Sequence, residues 1–150
     1  MKLVFWNVNR LRAAWKKGLL DFMAAERAQI FCSPTLDTEG RIVHTEFPDF
    51  HFFNVYFPNS GMGPERLAHK LRFYEAFLTL AERLPRRSKG VVICGDVNTA
   101  HTEIDLARPK ESWRIDYFFV SDELEDRVMG GGILPHVQGS DHCPITLELE

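Results

Sequence analysis

Cysteine is scarce in this chain. Cys32, Cys94 and Cys143 are the only three in 150 residues. They form no CxxC pair and no Cys/His zinc spacing, which argues against a disulfide framework and a structural zinc. Each lies in an apolar or strand-edge setting, as expected of reduced thiols in a cytoplasmic, intracellular protein. Long hydrophobic runs are also missing. No stretch approaches the ~20 apolar residues that a membrane span requires, so no membrane partner is expected. Met1-Lys2 leads straight into a strand-like segment that is too short, and too polar at Asn7 and Asn9, for a signal peptide. Neither charge sign dominates. A net charge of −3 leaves no global basic footprint, so any nucleic-acid contact must come from a local patch. No internal repeat or low-complexity tract is present. Apolar residues make up 45%, as in a soluble globular chain, and the length suits one domain over residues 1–150 with a sizeable core.

The pattern along the chain alternates strands with two long helices. Leu3 to Val8 is apolar and β-rich, and reads as a buried strand. Leu11, Trp15, Leu19, Phe22 and Met23 follow helical spacing and predict one amphipathic helix from Leu11 to Ala28. Gln29 to Cys32 is a short strand. Arg41 to Phe47 and Phe50 to Phe57 read as two strands joined by the turn Pro48-Asp49. After a loop from Pro58 to Pro64, the residues Leu67, Leu71, Tyr74, Phe77, Leu78, Ala81 and Leu84 predict a second helix. Val91 to Cys94 and Arg114 to Val120 are strands. Ser121 to Glu125 is a turn or short helix. Gly130-Gly131-Gly132 is a flexible loop before the segment Ile133 to Val137, and the chain closes on the apolar run Ile145 to Leu149. These elements predict an α/β (α+β) two-sheet sandwich flanked by helices.

Polar residues collect at the ends of the predicted strands. Gly139-Ser140-Asp141-His142-Cys143-Pro144 sets an acid beside an imidazole just before the closing strand. Asp141 beside His142 leaves His142 able to face a substrate, while Asp116 from another strand could take the other ring N–H and fix the tautomer. Asp96 could orient or deprotonate a water. Asn7 and Asn98 supply amide dipoles for that water or for a phosphate oxygen, and Tyr56 offers a phenol donor at a loop mouth. This mixture suits in-line attack of water on a phosphodiester, with a hard cation offsetting the phosphate charge. Simpler roles compete. Asp141-His142 could be a surface pair, Asp96 a solvated turn, Asp116 half of a structural ion pair, Asn7 and Asn98 turn caps, and Tyr56 a half-buried core residue. His44, His51, His69, His101 and His136 read as surface or structural. Arg12, Arg108, Lys110 and Arg114 could form a phosphate rim. The tract Arg86-Arg87-Lys89 reads as a solvated connector.

The same segments resemble the exonuclease III-type apurinic/apyrimidinic endonucleases of the endonuclease/exonuclease/phosphatase superfamily. The matching stretches are Trp6-Asn7-Val8-Asn9, Asn54-Val55-Tyr56-Phe57-Pro58-Asn59, Cys94-Gly95-Asp96-Val97-Asn98-Thr99, Trp113-Arg114-Ile115-Asp116-Tyr117 and Gly139-Ser140-Asp141-His142-Cys143-Pro144. The resemblance implies a reduced form of that fold and a Mg²⁺- or Mn²⁺-dependent phosphodiesterase acting on DNA, at abasic sites in duplexes or at 3′ ends. It implies that His142 contacts the scissile phosphate and Asp116 orients it. It further implies that Asp96 aligns the water, Asn98 supports the site and Tyr56 contacts the phosphate. Asn7, Asn9, Arg12 and Arg114 are then the substrate-binding candidates, and Asp141 with Asn7 the metal candidates.

Two departures accompany the match. Ser33-Pro34-Thr35-Leu36 stands where the family carries Leu-Gln-Glu-Thr-Lys, whose glutamate is the principal metal ligand. Only Glu111-Ser112 stands where the family carries a helical insert and pocket loop. Weaker metal binding and lower abasic-site selectivity are therefore expected, with Asp141, Asp96, Asp37 or Glu39 as substitute ligands. A catalytically impaired nucleic-acid-binding module or a minimal fold scaffold is the alternative. Trimming could also expose a sheet edge and favour a dimer.

Overall fold

Two four-stranded sheets pack face to face, each burying the apolar side of its strands against the other. The computed structural model describes residues 1–9, 11–32, 41–59, 63–84, 89–99 and 115–150. One sheet has the order β2-β1-β8-β7 and is built from Ile30–Cys32, Lys2–Phe5, Ile145–Leu149 and Val128–Ile133. The other has the order β3-β4-β5-β6 and is built from Ile42–Glu46, Phe50–Tyr56, Gly90–Asp96 and Asp116–Val120. Leu3, Phe5, Ile145, Leu147 and Leu149 of the first sheet meet Phe50, Phe52, Val92 and Cys94 of the second in the central core.

The outer faces are covered by helices. Helix α3 (Pro64–Glu82) packs Phe77 against Phe53, Val55, Phe57 and Val91. Helices α1 (Leu11–Lys16) and α2 (Leu19–Glu26) bring Ala14 and Leu19 onto Trp6 and Val8. Strands β4 and β5 run parallel, with α3 as the crossover, and β5 pairs antiparallel with β6. The expected two-sheet sandwich flanked by helices is therefore observed. No described helix is long and apolar enough to cross a membrane.

Several local expectations are corrected. The helix expected over Leu11 to Ala28 is broken at Lys17-Gly18, where Gly18 takes φ +90° and opens α2. Glycine reaches that left-handed conformation without steric cost and is poor in a helix interior. Trp15 is consequently 57% exposed, and Ala14 takes the inward position. On α3 the buried stripe is Lys70, Phe77 and Ala81, whereas Leu67, Leu71 and Leu78 face outward. The glycines at 130–132 are not a loop but part of β7, held by the β8 ladder with a bulge between Val128 and Gly130. Ile133 closes that strand against Ile145 and the chain turns after it, with Leu134 N–H donating to Pro144 O and Val137 N–H to Leu134 O. Strand β1 stops at Phe5, although Trp6, Asn7 and Val8 remain buried beyond it. His51 is buried and faces His44 at 3.1 Å, in keeping with a structural role.

Candidate active site

Four chain segments converge at one edge of the sandwich. The register Asp96↔Asp116 sets the last residue of β5 beside the first of β6, and Phe5↔Ile145 sets the exit of β1 beside the entry to β8. Asn7 follows β1 and His142 precedes β8, so both reach the same edge as the two aspartates. Glycine at 95 is a packing requirement: a Cβ there would lie 1.8 Å from the Val55 carbonyl oxygen. Gly139 lets Trp6 lie against the chain before His142, since a Cβ there would meet the indole at 2.8 Å. The Trp6 indole N–H then donates to the His142 carbonyl at 2.9 Å.

The polar contacts form one connected set. His142 Nδ1 lies 2.7 Å from Asp116 Oδ2, and His142 Nε2 lies 3.5 Å from Asn7 Nδ2. Asn7 Nδ2 donates to Asp96 Oδ2 at 3.0 Å. The other oxygen, Asp96 Oδ1, accepts the Asn98 N–H at 2.9 Å. The same turn recurs after β1, where Asn7 Oδ1 accepts the Asn9 N–H at 3.0 Å. Both Asn9 (φ 50°) and Asn98 (φ 53°) are left-handed, a conformation asparagine tolerates better than most residues. The Asn98 side-chain amide donates to Phe57 O at 2.9 Å.

Burial and charge set the protonation states. Desolvation, reinforced by the charge of Asp116, raises the Asp96 pKa from 3.8 to about 6. Desolvation likewise raises Asp116, with the His142 hydrogen bond opposing it. Burial works to lower the His142 pKa, but the hydrogen bond and charge of Asp116, with Asp96 and Asp141, outweigh it and raise the pKa above 6.5. Tyr74, below the Asp96 turn, is raised by desolvation.

Not every candidate joins the cluster in the same way. Asp141 stands beside it, accepting a hydrogen bond from the Asn9 side-chain amide and contacting Ser140 Oγ at 3.1 Å. Tyr56 is the register partner of Asp96 on β4 and lines a separate pocket of about 330 Å³ with Arg41, Pro58, Asn59, Arg66 and His69. Arg12 is an exposed residue of α1. Arg114, with Asp37, Glu39, Arg86, Arg87, His101, Arg108 and Lys110, lies outside the described residues.

The sequence pattern did not reveal several contributors. Ser140 Oγ donates to Asn7 O at 2.6 Å and accepts the His142 N–H at 3.3 Å, a tie foreshadowed only by its place before Asp141-His142. Arg41 lies 5.4 Å over the Tyr56 ring, and Lys70 reaches the turn after Asp96. Neither carries a local motif.

Among the described residues, Asp96, Asp116 and His142 form a group that could hold a metal, with donor atoms within 4.8 Å of one another. The donor set suits a hard divalent cation, because two carboxylates contribute and Asp116 Oδ1 is buried without a hydrogen-bond partner.

Comparisons with known proteins bear on the family and the fold. The exodeoxyribonuclease of Bacillus subtilis (strain 168) is 27% identical, over 98% of both chains, in an alignment of 249 residues that must carry long gaps. The DNA repair nuclease APEX1 of Danio rerio is 30% identical over 75% of this chain, which spans only 53% of that protein. Two solved structures share the fold. The Xenopus laevis APE2 catalytic domain has a TM-score of 0.75 at 21% identity, covering 99% of this chain and 91% of that one. The 3′ phosphatase NExo from Neisseria, a variant form bound to product DNA hairpin, has a TM-score of 0.83 at 14% identity, covering 100% and 99%. Residues 4–142 match the Endonuclease/Exonuclease/phosphatase family, and the chain belongs to it.

Proposed function

We propose that this chain hydrolyses DNA phosphodiester bonds with the help of a divalent cation, Mg²⁺ or Mn²⁺. The observation that carries the reading is the buried Asp116–His142 pair at 2.7 Å, joined to Asp96 through Asn7. His142 bears a raised pKa and directs Nε2 away from Asp116, so its imidazolium can face a scissile phosphate. Asp116 holds the ring and its charge. Asp96, with a pKa of about 6, is largely ionised near neutral pH and accepts a proton from the attacking water. Asn7 and Asn98 hold the Asp96 carboxylate from two sides. Tyr56, with Arg41, Arg66 and His69, forms a cationic pocket suited to a phosphate group. Asn9, Asp141 and Ser140 tie the exit of β1 to the loop carrying His142. Asp116, through its unpartnered Oδ1, would hold the cation, with Asn7 and Asp141 as flanking oxygen donors. When bound, it supplies positive charge against the phosphate oxygens. Ser33-Pro34-Thr35-Leu36 lacks the family's glutamate, so binding of the cation is weak. Abasic sites are the substrate that the name of a relative suggests, the DNA-(apurinic or apyrimidinic site) endonuclease of Dictyostelium discoideum, 30% identical over 76% of this chain; the exodeoxyribonuclease of Bacillus subtilis suggests DNA ends.

The test is cleavage of a duplex carrying one abasic site, and of a recessed 3′ end, with Mg²⁺, Mn²⁺ or chelator. Metal-dependent cleavage lost in His142→Ala supports the reading. A folded wild type that binds the duplex in a salt-sensitive manner, yet cleaves no faster than His142→Ala, would replace it with a binding module.

A further inference from the structure

Lys70 is the only lysine or arginine buried among the described residues, at 4% exposure. A charged group leaves water at a cost, which must be matched by close hydrogen bonds. The Lys70 ammonium makes two, to Asn98 O and to Thr99 Oγ1, each 2.6 Å. Tyr74 lies one helical turn further along α3, and the ammonium is 5.5 Å over its ring. The Tyr74 hydroxyl donates to Val97 O at 2.9 Å, and Tyr117 donates to Thr99 O at 3.0 Å. The three carbonyls after Asp96 are thus each taken by a different side chain. Burial lowers the Lys70 pKa while the charge of Asp96 opposes that shift, so the ammonium senses the carboxylate.

We infer that Lys70 is a positioning residue for Asp96, holding the left-handed Asn98 turn so that the Asn98 N–H keeps the carboxylate aimed at Asn7. The inference rests on the proposed hydrolysis and goes beyond it. It turns helix α3 from a cover over the sheet into a support for the site. A packing role alone would be served as well by a thioether of similar length.

The test compares Lys70→Met and Lys70→Arg with Phe77→Leu, a packing change on the same helix, at a temperature where all are folded. Lys70→Met is expected to lower kcat ~10–100-fold with KM changed far less, as for a misplaced reacting group. Lys70→Arg recovers part of that loss, and Phe77→Leu leaves kcat unchanged. A second readout needs no turnover. The Asn98 backbone amide donates to Asp96 Oδ1, so its hydrogen–deuterium exchange reports that bond. Exchange at Asn98 quickens in Lys70→Met and not in Phe77→Leu, relative to the amides of β1 and β8. Wild-type kcat together with unchanged Asn98 exchange in Lys70→Met would overturn the inference. If the wild-type chain cleaves nothing, the hydrolysis reading fails and the Asn98 exchange still decides this one. Should Lys70→Met not fold, Thr99→Val removes the hydroxyl that Lys70 grips. Faster Asn98 exchange there supports the inference, and unchanged exchange overturns it.

Discussion

Replacing Asp96 by asparagine should remove activity and yet raise stability at neutral pH. The Asp96 carboxyl titrates near pH 6 in the folded protein against a reference of 3.8. The folded state therefore holds the proton more tightly than the unfolded chain, and folding loses stability as pH rises from about 4 through about 6. A pKa raised by that much corresponds to about 3 kcal/mol of destabilisation above the window. Asparagine does not titrate and escapes it. It is less satisfactory in hydrogen bonding, because Asp96 accepts from both Asn7 and Asn98 and an amide can accept on one side only. That loss costs about 1–2 kcal/mol. The net gain at pH 7–8 is then about 1–2 kcal/mol, and below pH 4 it becomes a loss of similar size. Urea unfolding of both proteins at pH 4, 5, 6, 7 and 8, in chelator, measures this directly. Asparagine does not titrate, so the change with pH in the difference between the two curves follows the Asp96 titration. A difference that stays flat from pH 4 to 8 would refute the argument that burial beside Asp116 strains this carboxyl.

Gly95→Ala drives a Cβ to within 1.8 Å of the Val55 carbonyl and must part β4 from β5. A loss of about 3 kcal/mol or more in denaturant unfolding is expected, and a loss below about 1 kcal/mol would mean the strands yield easily. The pH profile of kcat/KM should be bell-shaped, rising as Asp96 ionises and falling as His142 loses its proton. In Asp116→Asn the falling limb moves to lower pH, since Asp116 is what raises the His142 pKa; an unmoved limb would assign it to another group. One cooperative unit predicts that far-UV and near-UV circular dichroism melt together, and separated transitions would count against a single domain.

Most of the candidate cluster was legible because its residues follow strands, and strands are written in short apolar runs. Asp96 and Asp116 stand at the ends of such runs, and Asn7 and His142 beside them, so reading the strands located the edge. Lys70 was hidden by the same logic that found its helix. Leucines at 67, 71 and 78 carry the periodicity of α3, yet the true inner stripe contains a lysine, whose reason for burial is a backbone turn 28 residues away. The glycines of β7 misled for a related reason. Their local preference is for turns, while the β8 ladder holds them extended, an effect of pairing that no local window contains. Gly18 shows the reverse case, where one residue's backbone freedom overrode an otherwise continuous helical pattern.

The paired turns Asn7-Val8-Asn9 and Asp96-Val97-Asn98 give this edge of the sandwich a built-in polarity. The two sheets present nearly equivalent grips of the same hand, each an oxygen at the first position holding the backbone N–H of the third. They differ at one terminal atom, nitrogen at residue 7 and oxygen at residue 96. Were both carboxylates, 3.0 Å apart, they would compete for a single proton and the pair would behave as an acid dyad. With the amide in place, one turn donates and the other accepts. An approaching anion therefore meets a scaffold that is close to symmetric in shape and asymmetric in charge, and can be oriented before anything touches the reacting bond.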